Sequence, residues 1–335
     1  MKAIGYTTNL PIENAASLQD IELDVPKATG KDMLVEVHAI SVNPVDYKVR
    51  KGMPPENGEW KILGWDATGI VKEVGEEVSL FKVGDEVWYA GDFTRPGSYS
   101  QFQLVDERIV GKKPTSLGFA EAAALPLTSL TAWELLFDRM QVNTEDSTKS
   151  ILVIGAAGGV GSIMVQLLKQ RTQLQIIGTA SREETTVWLK ELGVDTVINH
   201  RNKLSNEFEA HGISGADYIV SLNATEQHFD EIVKIIKPEG KFGFIDDPKT
   251  MNVMPFKMKA VSTHIEFMFT RSMFQTEDMI AQHHILNKVA EMIDQGTLKT
   301  TLGEHLDTIN AENLKKAHTI LESGKAKGKL VLEGF

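Results

Sequence analysis

The chain has 335 residues, 42% of them hydrophobic and 24% charged, with a formal net charge of −11 and no cysteine. A single core rarely grows past about 250–300 residues, so this length implies two domains, and the ordinary composition excludes a wholly disordered chain. The missing thiols exclude disulfides and thiolate metal or iron–sulfur sites, and the acidic balance opposes nucleic acid and anionic membrane surfaces as partners.

The N-terminal stretch MKAIGYTTNL lacks a basic segment followed by an apolar core, so no secretory leader is read there. With the absent cysteines, this leads to an expected reducing, cytoplasmic setting. The first 125 or so residues are strand-like and broken by turns. Met33–Ala39 alternates apolar and polar side chains as a half-buried strand should, and Ala67–Val74 and Asp85–Ala90 do the same. Gly75, Gly84, Gly91 and Gly97 mark turns, which together suggest a barrel-like β-domain.

Helix is favoured from about Phe119 to Phe137. Strands and helices then alternate: strand Ile151–Gly155, helix Gly159–Gln170, strand Gln175–Ala180, helix Glu183–Leu192, and further strands at Thr196–Ile198, Asp217–Ser221 and Lys241–Asp246. That rhythm predicts a parallel sheet with helices on both faces. Ile151–Leu168 is apolar enough to resemble a membrane span, but the glycines from Gly155 to Gly161 break it, and strand–turn–helix is the better reading. Two amphipathic helices, Glu277–Gln295 and Ala311–Glu322, and a closing strand, Gly328–Leu332, complete the pattern.

The turn after the first of the alternating strands carries the cofactor argument. It runs Gly155, Ala156, Ala157, Gly158, Gly159, Val160, Gly161, an A-x-G-x-x-G fingerprint with Ala156 in the first glycine's place. A glycine pattern that follows an apolar strand and opens a helix offers free N–H groups and a positive dipole end to a pyrophosphate. An NAD enzyme places Asp or Glu at the end of the second strand. Here that strand ends Ala180, Ser181, Arg182, and Glu183 and Glu184 read as the first turn of a helix. A carboxylate about 4 Å from a phosphate charge costs about 4 kcal/mol at an effective dielectric of 20. Ser181 and Arg182 instead offer a hydroxyl and a guanidinium to a 2′-phosphate, so NADPH is the expected cofactor. A solvated surface charge is the other reading of Arg182.

Residues 64–88, GWDATGIVKEVGEEVSLFKVGDEVW, resemble the signature of the medium-chain dehydrogenase/reductase superfamily. The resemblance spans essentially the whole chain. It implies an α/β fold: a GroES-like β-barrel catalytic domain (1–125), a Rossmann doubly wound parallel-sheet nucleotide-binding domain (126–268), and a C-terminal segment (269–335) returning to the catalytic domain, with the active site in the cleft between. Matched by motif, the family's three catalytic zinc ligands fall at Asn43, Trp65 and Leu127, none of which offers thiolate or imidazole, and no metal site is expected. VNPVDYKVRKG (42–52) is characteristic of the zinc-free quinone oxidoreductase branch. The resemblance therefore implies a zinc-independent NADPH-dependent reductase of quinones or α,β-unsaturated carbonyls, with a homodimer as the family expectation and a small-molecule electron acceptor as partner.

Asn43 and Tyr47 are the candidate donors to the acceptor oxygen. An Asn-Pro turn and an aromatic wall are the alternatives for them. Trp65, Phe93 and Tyr99 are assigned to the substrate pocket, and Asp66 to stabilising the domain junction. By the resemblance, Thr131 lies behind the nicotinamide, Asn223 along the ribose–nicotinamide half, Phe267 and Phe269 near the cofactor or a dimer partner, and His200 and Arg201 near the 2′-phosphate. His200 replaces the family's tyrosine and reads equally as a surface histidine. Lys329 matches a basic position near the phosphate side or is a structural lysine. Adjacent His283 and His284 point about 100° apart on a helix and read as a helix face rather than a metal pair. Three other activities stay open: an NADPH-binding sensor or structural protein with little turnover, a zinc alcohol dehydrogenase, and an acyl-thioester reductase, which would need a basic groove.

Overall fold

The structure is a computed structural model that describes residues 1–55 and 58–335. The first part of the chain forms β1 (Lys2–Tyr6), β2 (Gln19–Glu22), β3 (Asp32–Val42), α1 (Pro44–Gly52), β4 (Lys61–Ile62), β5 (Ala67–Val74), β6 (Glu86–Tyr89), β7 (Phe102–Asp106), β8 (Val110–Lys112), α2 (Phe119–Ala123) and α3 (Pro126–Trp133). Alternation follows: β9 (Ser150–Ile154), α4 (Gly159–Arg171), β10 (Gln175–Thr179), α5 (Glu183–Glu191), β11 (Thr196–Ile198), α6 (Leu204–Ala210), β12 (Ala216–Ser221), α7 (Thr225–Ile235), β13 (Ile236–Phe244) and β14 (Ser262–Ile265). The chain closes with α8 (Thr270–Met273), α9 (Ala281–Asp294), β15 (Leu302–His305), α10 (Ala311–Glu322) and β16 (Lys329–Glu333). No helix among the described residues is long and apolar enough to cross a membrane.

Two compact units result, Met1–Leu130 with Phe269–Phe335, and Thr131–Met268. In the first unit β3 is the organising strand. Its first half pairs with β7 and its last four residues with β16, while β5 lies along its other edge. The β3–β5 register shifts twice, between Leu34 and Val35 and between Val37 and Ala39, as at bulges. The closing strand is thus hydrogen-bonded antiparallel to β3, Leu330 opposite Val42.

In the second unit six parallel strands run in the order β11-β10-β9-β12-β13-β14. This is the doubly wound 3-2-1-4-5-6 arrangement, with its switch point between β9 and β12. All five residues of β9 are buried, as a strand covered on both faces must be, and Leu152, Ile154, Ile177, Ile219 and Phe242 share one core.

The helix expected over 119–137 is divided. Pro126 has no N–H to continue α2, and it starts α3 instead, which runs on into a π-helical turn, Glu134–Arg139.

Candidate active site

In the second unit Gly155 follows β9 at a φ of +81°, where only glycine is unstrained. A Cβ there would also lie 2.5 Å from Asn223 Oδ1, at the end of the neighbouring β12. Gly155 and Asn223 therefore meet at the switch point, where doubly wound sheets bind ligands. The Gly155 N–H donates to Thr179 Oγ1 at 3.0 Å, fixing the turn to the end of β10. Gly158 is the N-cap of α4 and provides no side-chain cap, so the helix opens with bare N–H groups. A Cβ on Gly161 would lie 2.4 Å from Ala156 O, so the third glycine is what lets helix and strand close up. These residues, with Ala157, Gly159 and Val160, fit a dinucleotide pyrophosphate.

At the end of β10, Ser181 and Arg182 are half-buried, and the Arg182 guanidinium pairs with Glu184 at 3.0 Å. His200 is half-buried, Arg201 exposed. The His200 ring lies edge-on to His228 of α7, 6.4 Å between centroids, and burial pulls both imidazoles below the usual histidine range. His228 stands in no motif of the sequence. Thr131 is buried and Phe267 is 45% exposed.

The first unit gathers the other candidates around Asp66. Gly64, at a φ of +111°, precedes Trp65, and its neighbours are tied by Tyr99 N–H to Leu63 O at 2.8 Å and Ser98 N–H to Gly64 O at 3.0 Å. Trp65 stacks on Phe93 at 5.3 Å and meets Phe269 edge-on at 5.9 Å, forming an aromatic cluster. Asp66 points into the core, where Oδ1 accepts from the backbone N–H of Leu127 at 2.8 Å and Oδ2 from Asn43 Nδ2 at 2.8 Å. The Lys329 ammonium donates to Asp66 Oδ2 at 2.8 Å and to Asn43 Oδ1 at 2.5 Å. Asn43, Asp66 and Lys329 are 1%, 0% and 3% exposed. Burial raises the Asp66 carboxyl above the usual range, and Lys329, Leu127 N–H and Asn43 oppose that rise.

These contacts relocate three candidates. The Asn43 amide is engaged on both sides within the core rather than offered to a ligand. Lys329, read as lying near the phosphate side or as a structural lysine, is likewise enclosed, bonded to Asn43 and Asp66. Tyr99, assigned to the pocket, is fully buried with its hydroxyl 3.2 Å from His318 Nε2. Tyr47 lies on α1, half-buried, and its hydroxyl has no hydrogen-bond partner among the described residues.

A second buried set continues from Asn43. The Asp46 carboxylate accepts from the Asn43 backbone N–H at 2.6 Å, the reach-back of a residue at the third helical position. Burial pushes Asp46 up to about 7, against the Asn43 N–H, Lys329 and the Tyr99 hydroxyl that faces it. Arg50 Nε donates to His318 Nδ1 at 3.3 Å. Arginine has no acceptor, so Nδ1 accepts, and the neutral imidazole carries its proton on Nε2, directed at the Tyr99 oxygen. Burial, with Arg50, holds His318 down to about 3. Arg50 ends the chain of contacts at Glu322 Oε1, 2.5 Å away.

The three positions matched to zinc ligands are thus Asn43, committed to a lysine, Trp65, whose Nε1 donates to Asp92 O at 3.2 Å, and Leu127, which contributes a backbone N–H. This donor set does not fit a zinc ion. Among the described residues no group of three or more His, Cys, Asp or Glu could hold a metal. The nitrogens of His283 face Val110 O at 2.6 Å and Asn287 Nδ2 at 2.9 Å.

Residues 29–132 match the alcohol dehydrogenase GroES-like domain family, and residues 192–332 match the zinc-binding dehydrogenase family. A zinc-type alcohol dehydrogenase-like protein of Staphylococcus epidermidis is 39% identical, with 99% of each chain covered. A Rhizobium etli crystal structure, provisionally named a zinc-dependent alcohol dehydrogenase, is 54% identical with a TM-score of 0.97, covering 100% of this chain and 98% of that one. Escherichia coli quinone oxidoreductase, solved with NADPH, has the same fold at a TM-score of 0.84 and 23% identity, with 99% and 100% covered.

Proposed function

Because this chain belongs to the medium-chain dehydrogenase/reductase superfamily of alcohol dehydrogenase-like proteins, we propose that it falls in the quinone-oxidoreductase-like branch and is a zinc-independent, NADPH-dependent reductase of quinones or α,β-unsaturated carbonyls. The observation that carries the reading is the ammonium of Lys329 between Asn43 and Asp66, next to the positions where zinc-type relatives would need metal ligands. Without a Lewis acid to stabilise an alkoxide, an activated alkene or quinone, already polarised, is the easier substrate. When bound, the nicotinamide supplies the hydride.

The residues of the chain then have three tasks. The Gly155–Gly161 turn holds the pyrophosphate on the N–H groups of α4. Ser181, Arg182, His200 and Arg201 favour a 2′-phosphate over a bare ribose diol. Arg182 must exchange part of its pairing with the exposed Glu184 for that phosphate, a low cost for a solvent-screened pair. Tyr47 orients the acceptor and donates a hydrogen bond to its developing oxyanion, a role that the engaged amide of Asn43 leaves to it. Trp65, Phe93 and Phe269 supply the apolar surface that a flat quinone needs.

We also propose a homodimer through β14, the last strand in the sheet order, where Ile265 is 65% exposed and Phe267, just beyond the strand, 45%. Sedimentation should then give about twice the 37.1 kDa chain mass. The enzymatic reading is tested by incubating the protein with NADPH and a panel of quinones, enals and enones while following nicotinamide absorbance. Acceptor-dependent loss supports it. Tight NADPH binding with no turnover on any acceptor contradicts it and favours a sensor.

A further inference from the structure

We infer that Lys329 is a positioning residue that stands in for a metal ion: its buried ammonium cross-links the three segments matched to zinc ligands and closes that corner to divalent cations. The ammonium binds the side chain of Asn43 directly. It binds Asp66, the residue after Trp65, and Asp66 in turn holds the backbone N–H of Leu127. One lysine therefore ties the start of α1, the turn before β5 and the first turn of α3 to the closing strand β16.

Charge and geometry leave no room for a second cation. The ammonium and the Asp66 carboxylate neutralise each other, and with Asn43 they are bonded together in the buried core. The Asn43 amide has only one orientation there: its oxygen must face the ammonium and its NH2 the carboxylate. A divalent ion would have to expel the ammonium and then rely on the Asp66 carboxylate and the Asn43 amide oxygen, with neither Trp65 nor Leu127 to add a side-chain ligand.

The positioning role follows from what Asn43 begins. It is the N-cap of α1, yet its side chain is turned away from the helix toward Lys329, and the capping contact is made by Asp46 reaching back to its N–H. The direction in which α1 leaves β3, and with it the placement of Tyr47, depends on the Lys329 contact.

The test compares wild type with Lys329→Met, Asp66→Asn and the double variant. Thermal unfolding, retained zinc after incubation and desalting, and steady-state kinetics are measured on each. The turnover readout rests on the proposed reductase activity; the unfolding and zinc readouts do not. Lys329→Met, which strands a buried carboxylate, should melt well below wild type. The double variant, which removes both charges, should regain at least half of that loss. Wild type should retain no stoichiometric zinc. In the double variant kcat should fall about tenfold or more while the KM for NADPH stays within about twofold.

A double variant no more stable than Lys329→Met overturns the inference. So does one zinc per wild-type chain, or a raised NADPH KM with unchanged kcat, which would return Lys329 to the cofactor phosphate. If wild type turns over no acceptor, the reductase reading fails, and the melting and zinc results decide the inference alone.

Discussion

Tyr47 carries the sharpest consequence for turnover. Its hydroxyl is the one candidate donor in the first unit not already engaged with a described residue, while Asn43 and Tyr99 are enclosed in polar networks. Tyr47→Phe should lower kcat by about tenfold or more, a loss of roughly 1.4 kcal/mol of transition-state stabilisation, and leave NADPH affinity unchanged. Steady-state kinetics check this, and a neutral result would reduce Tyr47 to packing. At the other end of the cofactor, Ser181→Asp combined with Arg182→Ala should shift preference from NADPH toward NADH. An added carboxylate costs about 4 kcal/mol beside a phosphate charge, up to about a thousandfold in the ratio of KM values before solvent screening reduces it. Unchanged NADPH affinity would remove these two residues from the 2′-phosphate site. The chemistry of Asn43 could be read from its type but not its engagement, because its partners Asp66 and Lys329 lie 23 and 286 positions away.

At the scale of elements, α1 shows how one signal supports two structures. Asn43-Pro44 reads as a turn, and the same pair is an N-cap followed by proline at the first helical position. Asp46 three residues on was the cue that would have decided for helix. The α4 loop, by contrast, was legible nearly residue for residue, since its glycines answer to local constraints: a positive φ at Gly155 and backbone contact at Gly161. β1 and β2 were not read, and Arg50 and His318 could not be, because only tertiary packing buries an arginine and a histidine together.

That packing makes a prediction about pH. Asp46 has a raised folded pKa, so its contribution falls as pH rises from the unfolded value near 3.8 to about 7. His318 has a lowered one, so its contribution falls as pH drops from about 6.5 toward about 3. The two slopes oppose each other across pH 4–6.5. Asp46→Asn should leave a protein whose stability rises with pH in that window relative to wild type, and His318→Gln one whose stability falls. Each difference is on the order of a few kcal/mol at 1.36 kcal/mol per unit. Urea unfolding at a series of pH values checks the signs. Parallel profiles for all three proteins would show that neither group changes ionisation as described. Arg50, Lys329 and Asp66 face the pair and remain in every variant.

For the molecule as a whole, strand–helix alternation after residue 150 was enough to read a doubly wound sheet, and the observed strand order agrees with it. The barrel-like unit was legible only as a class, since its closure depends on β3 pairing with β7 and then with β16, from the far end of the chain. That long-range closure brings Lys329 to Asn43, the contact on which the proposed metal-free chemistry rests. NADPH oxidation by a quinone, followed on one purified preparation before and after exhaustive chelation, tests it most directly. Metal-free hydride transfer gives the same rate in both and no stoichiometric zinc. A rate that is lost on chelation and restored by zinc would contradict it.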